Sequence, residues 1–177
     1  MNTGNPIAIR DALQDDAAAV QAIYVHHVLH GIASFEESPP DVAEITRRMA
    51  AITQAGYPYR VALMDGAVKG YSYGGSYRPR PAYRYTVENS IYVDAGSANK
   101  GIGAALLEDL ITRCTALGFR QMVAVIGDSD NSASIKLHAR YGFSHTGTQR
   151  SLGFKHGRWI DQVLMQRPLG EGDDTLP

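Results

Sequence analysis

Ser90-Ile91-Tyr92-Val93, and then Asn99-Lys100-Gly101-Ile102-Gly103-Ala104-Ala105-Leu106-Leu107, are the stretches that decide how this chain folds. The first is β-branched and aromatic. The second opens a periodic apolar face behind two glycines. Together they predict a strand, a glycine-bearing loop and the start of an amphipathic helix. A junction of this kind aims several backbone N–H groups at one point, at the positive end of a helix dipole. Such a point suits a phosphate or pyrophosphate, so a phosphorylated cofactor is the first expectation.

Upstream, Ile7-Ala8-Ile9-Arg10 is a short alternating strand. Asp15 is placed to cap a helix that carries Val20, Ile23, Tyr24 and Val28 on one side and ends at Gly31. Ser38-Pro39-Pro40-Asp41 is a second helix start, with Ser38 as the expected cap; that helix runs through Ile45, Met49 and Ile52 to Gly56. Strands are expected over 59–64 and 68–77, joined by the hairpin turn Asp65-Gly66. Residues 78–85 are proline-bearing and basic, hence a loop, and 86–93 is again a strand.

Downstream, the helix after the glycines shows Ile102, Leu106, Leu110, Ile111 and Cys114 on one face, with Gly118 as its stop. Residues 121–126 are almost continuously apolar, as a strand buried on both faces must be. A helix from about Ser132 to Tyr141, stopped by Gly142, and strands over 143–148 and 159–166 complete the pattern. The order β-α-α-β-β-β-α-β-α-β-β is a mixed α/β fold. One domain over 7–168 is expected, with a disordered tail over 169–177.

Composition narrows the classes. At 177 residues, 44% hydrophobic and 20% charged, the chain matches an ordinary globular domain. A formal net charge of -1 gives no basic footprint for nucleic acid or an anionic membrane surface. One cysteine allows no internal disulfide and fits a reducing compartment. Met1 to Pro6 lacks the basic and apolar regions of a signal peptide. A cytoplasmic protein is the default expectation.

Three readings of the glycine loop compete. A dinucleotide fingerprint is poorly matched: Leu106 stands where the third glycine belongs, and no acidic residue follows at the required distance. A nucleoside-triphosphate loop is excluded, because no Gly-Lys-Ser/Thr is present after the first glycine. A merely structural pair of glycines at a tight turn stays open on these residues alone.

The wider pattern adds a resemblance. Tyr92-Val93, Gly101-Ile102-Gly103, Leu106-Leu107, Asn131-Ser132-Ala133-Ser134 and Gly142-Phe143, in this order, resemble the GNAT superfamily of acetyl-CoA-dependent N-acetyltransferases. Within it, residues 87–93, Val123-Ala124-Val125-Ile126, Leu137-His138 and residues 153–159 (Gly-Phe-Lys-His-Gly-Arg-Trp) resemble the phosphinothricin and methionine sulfoximine acetyltransferases. The likeness extends from about Ile7 to Gln166. It implies a mostly antiparallel mixed sheet flanked by helices, with a splayed central cleft for acetyl-CoA, and a homodimer. One departure is Ala98, which stands where the family usually has Gln or Arg.

The resemblance also assigns roles. The backbone of Ile91, Tyr92 and Val93 would pair with the pantetheine arm as an added strand. Asn99, Lys100, Gly101, Ile102, Gly103 and Ala104 would hold the pyrophosphate, with Asn131 as a further cofactor contact. Glu88 is the expected base and His138 the expected acid. Phe35 and Glu36, together with Arg78-Pro79-Arg80, would meet the acceptor, where a guanidinium suits a carboxylate.

Each residue has a plainer alternative. Glu88 alone is an exposed strand glutamate, His138 a core histidine, Asn131 a helix cap and Lys100 a solvated loop lysine. Tyr73, Tyr77, Tyr83 and Tyr85 either line the same cleft or simply pack. His26 and His30 lie one helical turn apart, but no third metal ligand is evident and no metal is expected. Cys114 lies on an apolar helix face, where an inert thiol is expected, and no other activated nucleophile is evident. Direct transfer to the α-amino group of a small amino acid or analogue is therefore the leading expectation. A peptide N-terminal acetyltransferase and a non-catalytic acyl-CoA-binding domain are its rivals.

Overall fold

A computed structural model describes residues 6–177. Residues 1–5, on which the expectation of no signal peptide rests, lie outside the described residues. The elements are β1 (Ala8–Asp11), α1 (Ala17–His30), α2 (Val42–Gln54), β2 (Tyr59–Met64), β3 (Ala67–Ser76) and β4 (Thr86–Val93). They continue with α3 (Ile102–Ala116), β5 (Gln121–Gly127), α4 (Ser132–Arg140), β6 (Ser144–Lys155) and β7 (Arg158–Pro168). Seven strands form one sheet in the order β1-β2-β3-β4-β5-β7-β6. β4 and β5 run parallel, with α3 as their crossover; the other neighbours are antiparallel.

Alternation along β4 divides the molecule into two layers. Tyr92 faces α1 and packs in one cluster with Tyr24, Tyr59 and Tyr71. Val87 faces the other way and packs with Leu107, Leu110 and Cys114 of α3. Leu106, Leu107 and Leu110 are fully buried, each contributing about 1.5–3 kcal/mol by leaving water. Ile111, expected on this face, is only partly buried at its edge, and Leu107 takes the central place.

Several local expectations are corrected. The cap of α2 is Asp41, whose carboxylate accepts from Glu44 N at 2.8 Å, and not Ser38. The paired prolines disfavour helical backbone in the residues before them, so the first turn begins only beyond Pro40. At α1 the N-cap position is Asp16 rather than Asp15; its side chain accepts from Leu13 N at 2.7 Å and from Arg10 at 2.6 and 2.8 Å. β6 runs on to Lys155, well past its expected end, and meets β7 through the turn His156-Gly157. Its register shifts between Gln149 and Gly153, with Ser151 at φ +53, which breaks the alternation by which a strand is recognised.

Residues 169–177, expected as a disordered tail, form turns against the end of the sheet. Leu169 is fully buried and its N–H donates to Arg120 O at 2.9 Å. Arg120 in turn donates to Thr175 Oγ1 and to Leu176 O, both at 2.9 Å. Among the described residues no helix is long and apolar enough to cross a membrane.

Candidate active site

The sheet parts at its centre. β4 and β5 are paired from Thr86↔Gln121 to Asn89↔Ala124 and no further, although β4 continues to Val93 and β5 to Gly127. The other edge of β4 stays bonded to β3 as far as Val93↔Gly70. Ser90 to Val93 therefore face an open gap, which widens into a cleft of about 820 Å³. Asn89 stands at the vertex. Its Nδ2 donates to Val123 O at 3.2 Å, and its Oδ1 faces His138 Nε2 at 3.1 Å. At the far end of the gap, His27 Nε2–H donates to Val93 O at 2.9 Å.

The glycine loop closes one side. Gly101 is the N-cap of α3 in left-handed backbone, φ +84, which glycine adopts without strain. It offers no capping side chain, and the first helical bond is Ala105 N to Gly101 O. The N–H groups of Ile102, Gly103 and Ala104 thus have no partner within the helix. All three residues line the cleft, as do Asn99 and Gly101. Gly70 lets the helix approach so closely, since a Cβ there would stand 2.8 Å from Ile102 Cγ2.

Glu88 and His138 both line the cleft. Glu88 pairs with Gly75 and lies on the Tyr92 face of β4, two residues from Ser90. Burial raises its carboxyl above the ordinary value. His138, from α4, reaches Asn89 on the opposite face and is 4% exposed. The two side chains therefore approach the gap from opposite sides of the sheet. His138 Nδ1 lies 2.8 Å from Ser134 O, so each ring nitrogen faces a carbonyl oxygen. The doubly protonated ring satisfies both acceptors. Burial is the larger effect and holds the His138 pKa below its ordinary value, with the Ser134 carbonyl opposing it only in part.

The sheet thus splits beside a helix N-terminus that has no capping side chain, with half-buried Glu88 and buried His138 on its two faces. The sequence profile of the family described as "Acetyltransferase (GNAT) domain" matches residues 9–164. The chain belongs to the GNAT acetyltransferase family. It is 52% identical over 169 residues to a phosphinothricin N-acetyltransferase of Alcaligenes faecalis, covering 96% of this chain and 86% of that one. It is 39% identical over 165 residues to an L-methionine sulfoximine/L-methionine sulfone acetyltransferase of Salmonella typhimurium, covering 93% and 96%. The crystal structure of a GNAT superfamily phosphinothricin acetyltransferase from Sinorhizobium meliloti, in complex with AcCoA, superposes with TM-score 0.94 at 51% identity, covering 97% and 92%.

As a GNAT acetyltransferase, the chain offers what acetyl-CoA needs: an unpaired strand edge for an amide-bearing arm and unpaired N–H groups for phosphate. Asn131 caps α4, accepting from Ser134 N at 3.2 Å, and also lines the cleft. Phe35 lines it as well. Other expected residues do not. Lys100 is exposed beside the loop. Glu36 accepts from Tyr24 OH at 2.9 Å and from Arg48 Nη1 at 2.6 Å. Arg78, Pro79 and Arg80 are exposed outside the cleft, Arg78 lying 5.1 Å from the Tyr77 ring centroid.

Sequence reasoning missed Asn89, Ser34, Lys136 and Arg140, which also line the cleft, and left Tyr73 undecided among four tyrosines. Lys136 and Arg140 lie four residues apart on α4, a spacing that puts both on one helix face. The His26 and His30 rings lie 5.1 Å apart between centroids, tilted by 48°, and among the described residues no group of three metal-ligating side chains forms. Cys114 is buried, and burial pushes its thiol up to about 12.

Proposed function

We propose that this acetyltransferase moves an acetyl group from acetyl-CoA directly to the α-amino group of a small amino acid or analogue. Phosphinothricin, methionine sulfoximine and methionine sulfone are the best-matched acceptors. The observation that carries the reading is the placement of Glu88 and His138 on opposite faces of the open β4 edge. The substrates named for the relatives support the choice of acceptor.

Acetyl-CoA supplies an acyl group activated as a thioester. The N–H groups of Ile102, Gly103 and Ala104, with Asn99, Lys100 and Gly101 around them, hold its pyrophosphate. The free edge of Ile91, Tyr92 and Val93 aligns the pantetheine, and Asn131 contacts it from α4. Glu88 takes a proton from the acceptor ammonium, a task for which a carboxyl raised by burial is suited. A backbone N–H of the β4 edge stabilises the developing oxyanion. His138 delivers a proton to sulfur as the C–S bond breaks and the C–N bond forms.

Ser34, Phe35 and Tyr73 lie on the Glu88 side and shape the acceptor pocket, with Glu36 bracing it. The Arg78-Pro79-Arg80 loop follows β3 beyond Gly75, the partner of Glu88; its guanidiniums, exposed outside the cleft, reach the acceptor carboxylate by inward movement of that loop. The chain forms a homodimer in the cytoplasm. The exposed apolar strip Leu152, Phe154 and Trp159 on β6 and β7, 53%, 56% and 62% exposed, supports the dimer. The lone buried cysteine fits a reducing compartment.

The test is CoA release from acetyl-CoA with a panel of amines: the three named analogues, ordinary amino acids, an aminoglycoside and a short peptide. Rapid release with the analogues is expected. Release with the peptide alone refutes the small-molecule reading, and binding of acetyl-CoA without any release refutes turnover.

A further inference from the structure

The cleft wall on the Glu88 side is a loop, residues 31–36, between α1 and α2. It has no regular structure, so its shape must be imposed by what it rests on. Ala33, Ser34 and Phe35 of this loop line the cleft. Its supports come from the distant β6–β7 hairpin.

Lys155 is the main support. It is 3% exposed, an uncommon state for a lysine. Its Nζ donates to Gly31 O at 3.0 Å and to Ser34 O at 2.7 Å, the latter 121 residues away in sequence. An ammonium between two backbone carbonyls fixes the loop at both ends of its turn. His156 Nε2–H adds a bond to Gly31 O at 3.2 Å. Within the loop, Glu36 N donates to Ser34 Oγ at 3.1 Å, and that oxygen lies 2.8 Å from Tyr24 OH.

Two glycines complete the seat. A Cβ at Gly153 would stand 2.6 Å from Phe35 Cε2, so the ring lies flat on bare backbone. A Cβ at Gly127 would stand 2.1 Å from Ile32 O. No side chain fits at either position without moving the loop.

We propose that Lys155 is a positioning residue of the acetyltransferase: with Gly153 it seats Ser34 and Phe35 at the depth that decides which acceptor fits. Acceptor choice is thus partly written in Gly153 and Lys155 of the β6–β7 hairpin, neither of which lines the cleft. This rests on the acceptor lying on the Glu88 side, as set out under Proposed function.

The test compares Lys155→Met, which keeps the apolar stem, with Lys155→Arg and Gly153→Ala. In Lys155→Met the KM for the best acceptor rises about tenfold, as expected for losing charge-assisted bonds to the wall, while the Kd for acetyl-CoA changes less than about twofold. Lys155→Arg restores part of the loss. Gly153→Ala, which leaves the lysine in place, shifts the ratio of kcat/KM between a small and a large acceptor. Hydrogen exchange in Lys155→Met shows faster exchange at residues 33–36 with α3 unchanged. An unchanged acceptor KM with unchanged exchange overturns the proposal. So does an equal loss of acetyl-CoA binding, which marks a general structural role. If the wild-type chain acetylates none of the amine panel, the substrate reading fails, and the exchange experiment still decides whether Lys155 seats the loop.

Discussion

Replacing Gly103 by alanine should make this protein more stable and a poorer enzyme at once. Gly103 has ordinary helical backbone, so alanine is tolerated there. Its added Cβ would meet Leu137 Cδ2 at 3.5 Å and Val93 Cγ2 at 3.7 Å, which are ordinary contacts. Helix propensity then favours alanine by up to about 1 kcal/mol, a rise in Tm of about 2–4 °C for a chain of this size. The same methyl group projects into the cleft that Gly103 lines, beside the N–H groups of Ile102 and Ala104. Forcing a phosphate away from one such charge-assisted bond costs about 1.5–3 kcal/mol, or about 10–100-fold in affinity for acetyl-CoA. Thermal denaturation without ligand and calorimetric titration with acetyl-CoA measure the two effects separately. A raised Tm with unchanged affinity would refute the placement of the pyrophosphate on this turn, and a lowered Tm would refute the tolerance of the site.

Glu88→Gln should lower kcat on the order of 10²–10⁴-fold and leave acetyl-CoA affinity unchanged, as steady-state kinetics and calorimetry would show. Burial raises the Glu88 pKa in the folded state, so its contribution to stability is fully present below the unfolded value and is lost as pH rises through the folded one. At neutral pH Glu88→Gln should therefore gain Tm, and the acidic limb of the activity profile, set above the usual carboxylate range in the wild type, should flatten. Asn89→Leu removes the bonds to Val123 O and His138 Nε2, and should cost about 1–3 kcal/mol of stability by denaturant titration and about tenfold in kcat. Arg60→Met removes the 2.7 Å bond from Arg60 Nε to Asp109, leaving that carboxylate only Arg113 at 3.8 Å, and should cost about 1.5–3 kcal/mol by denaturant titration.

Most of the framework was legible because its signals are local. The Asp65-Gly66 turn, the apolar run of β5 and the glycine before α3 each announce an element within a few residues. The caps of α1 and α2 were misplaced by one and by three positions, since neighbouring polar residues compete and tertiary partners such as Arg10 choose among them. The far half of β6 was hidden by its bulge. In the site, the glycine loop, Glu88 and His138 lay in recognisable patterns. Asn89 did not: a polar residue in a strand gives no hint that it will bridge a carbonyl and an imidazole. The seat of the acceptor wall was equally invisible, because Lys155 meets Ser34 only after the whole sheet is built.

The parting of β4 and β5 after Asn89 has one further consequence. With its cosubstrate held as proposed, this is a sheet lacking a strand, and the missing strand is a metabolite. Free CoA carries the same pyrophosphate and pantetheine arm, so it closes the gap nearly as well as acetyl-CoA and adds stability in proportion to the logarithm of its concentration over its Kd. The lifetime of the folded chain in a cell then follows the total CoA pool, whereas its turnover follows the acetylated fraction, and spent coenzyme both preserves the enzyme and silences it.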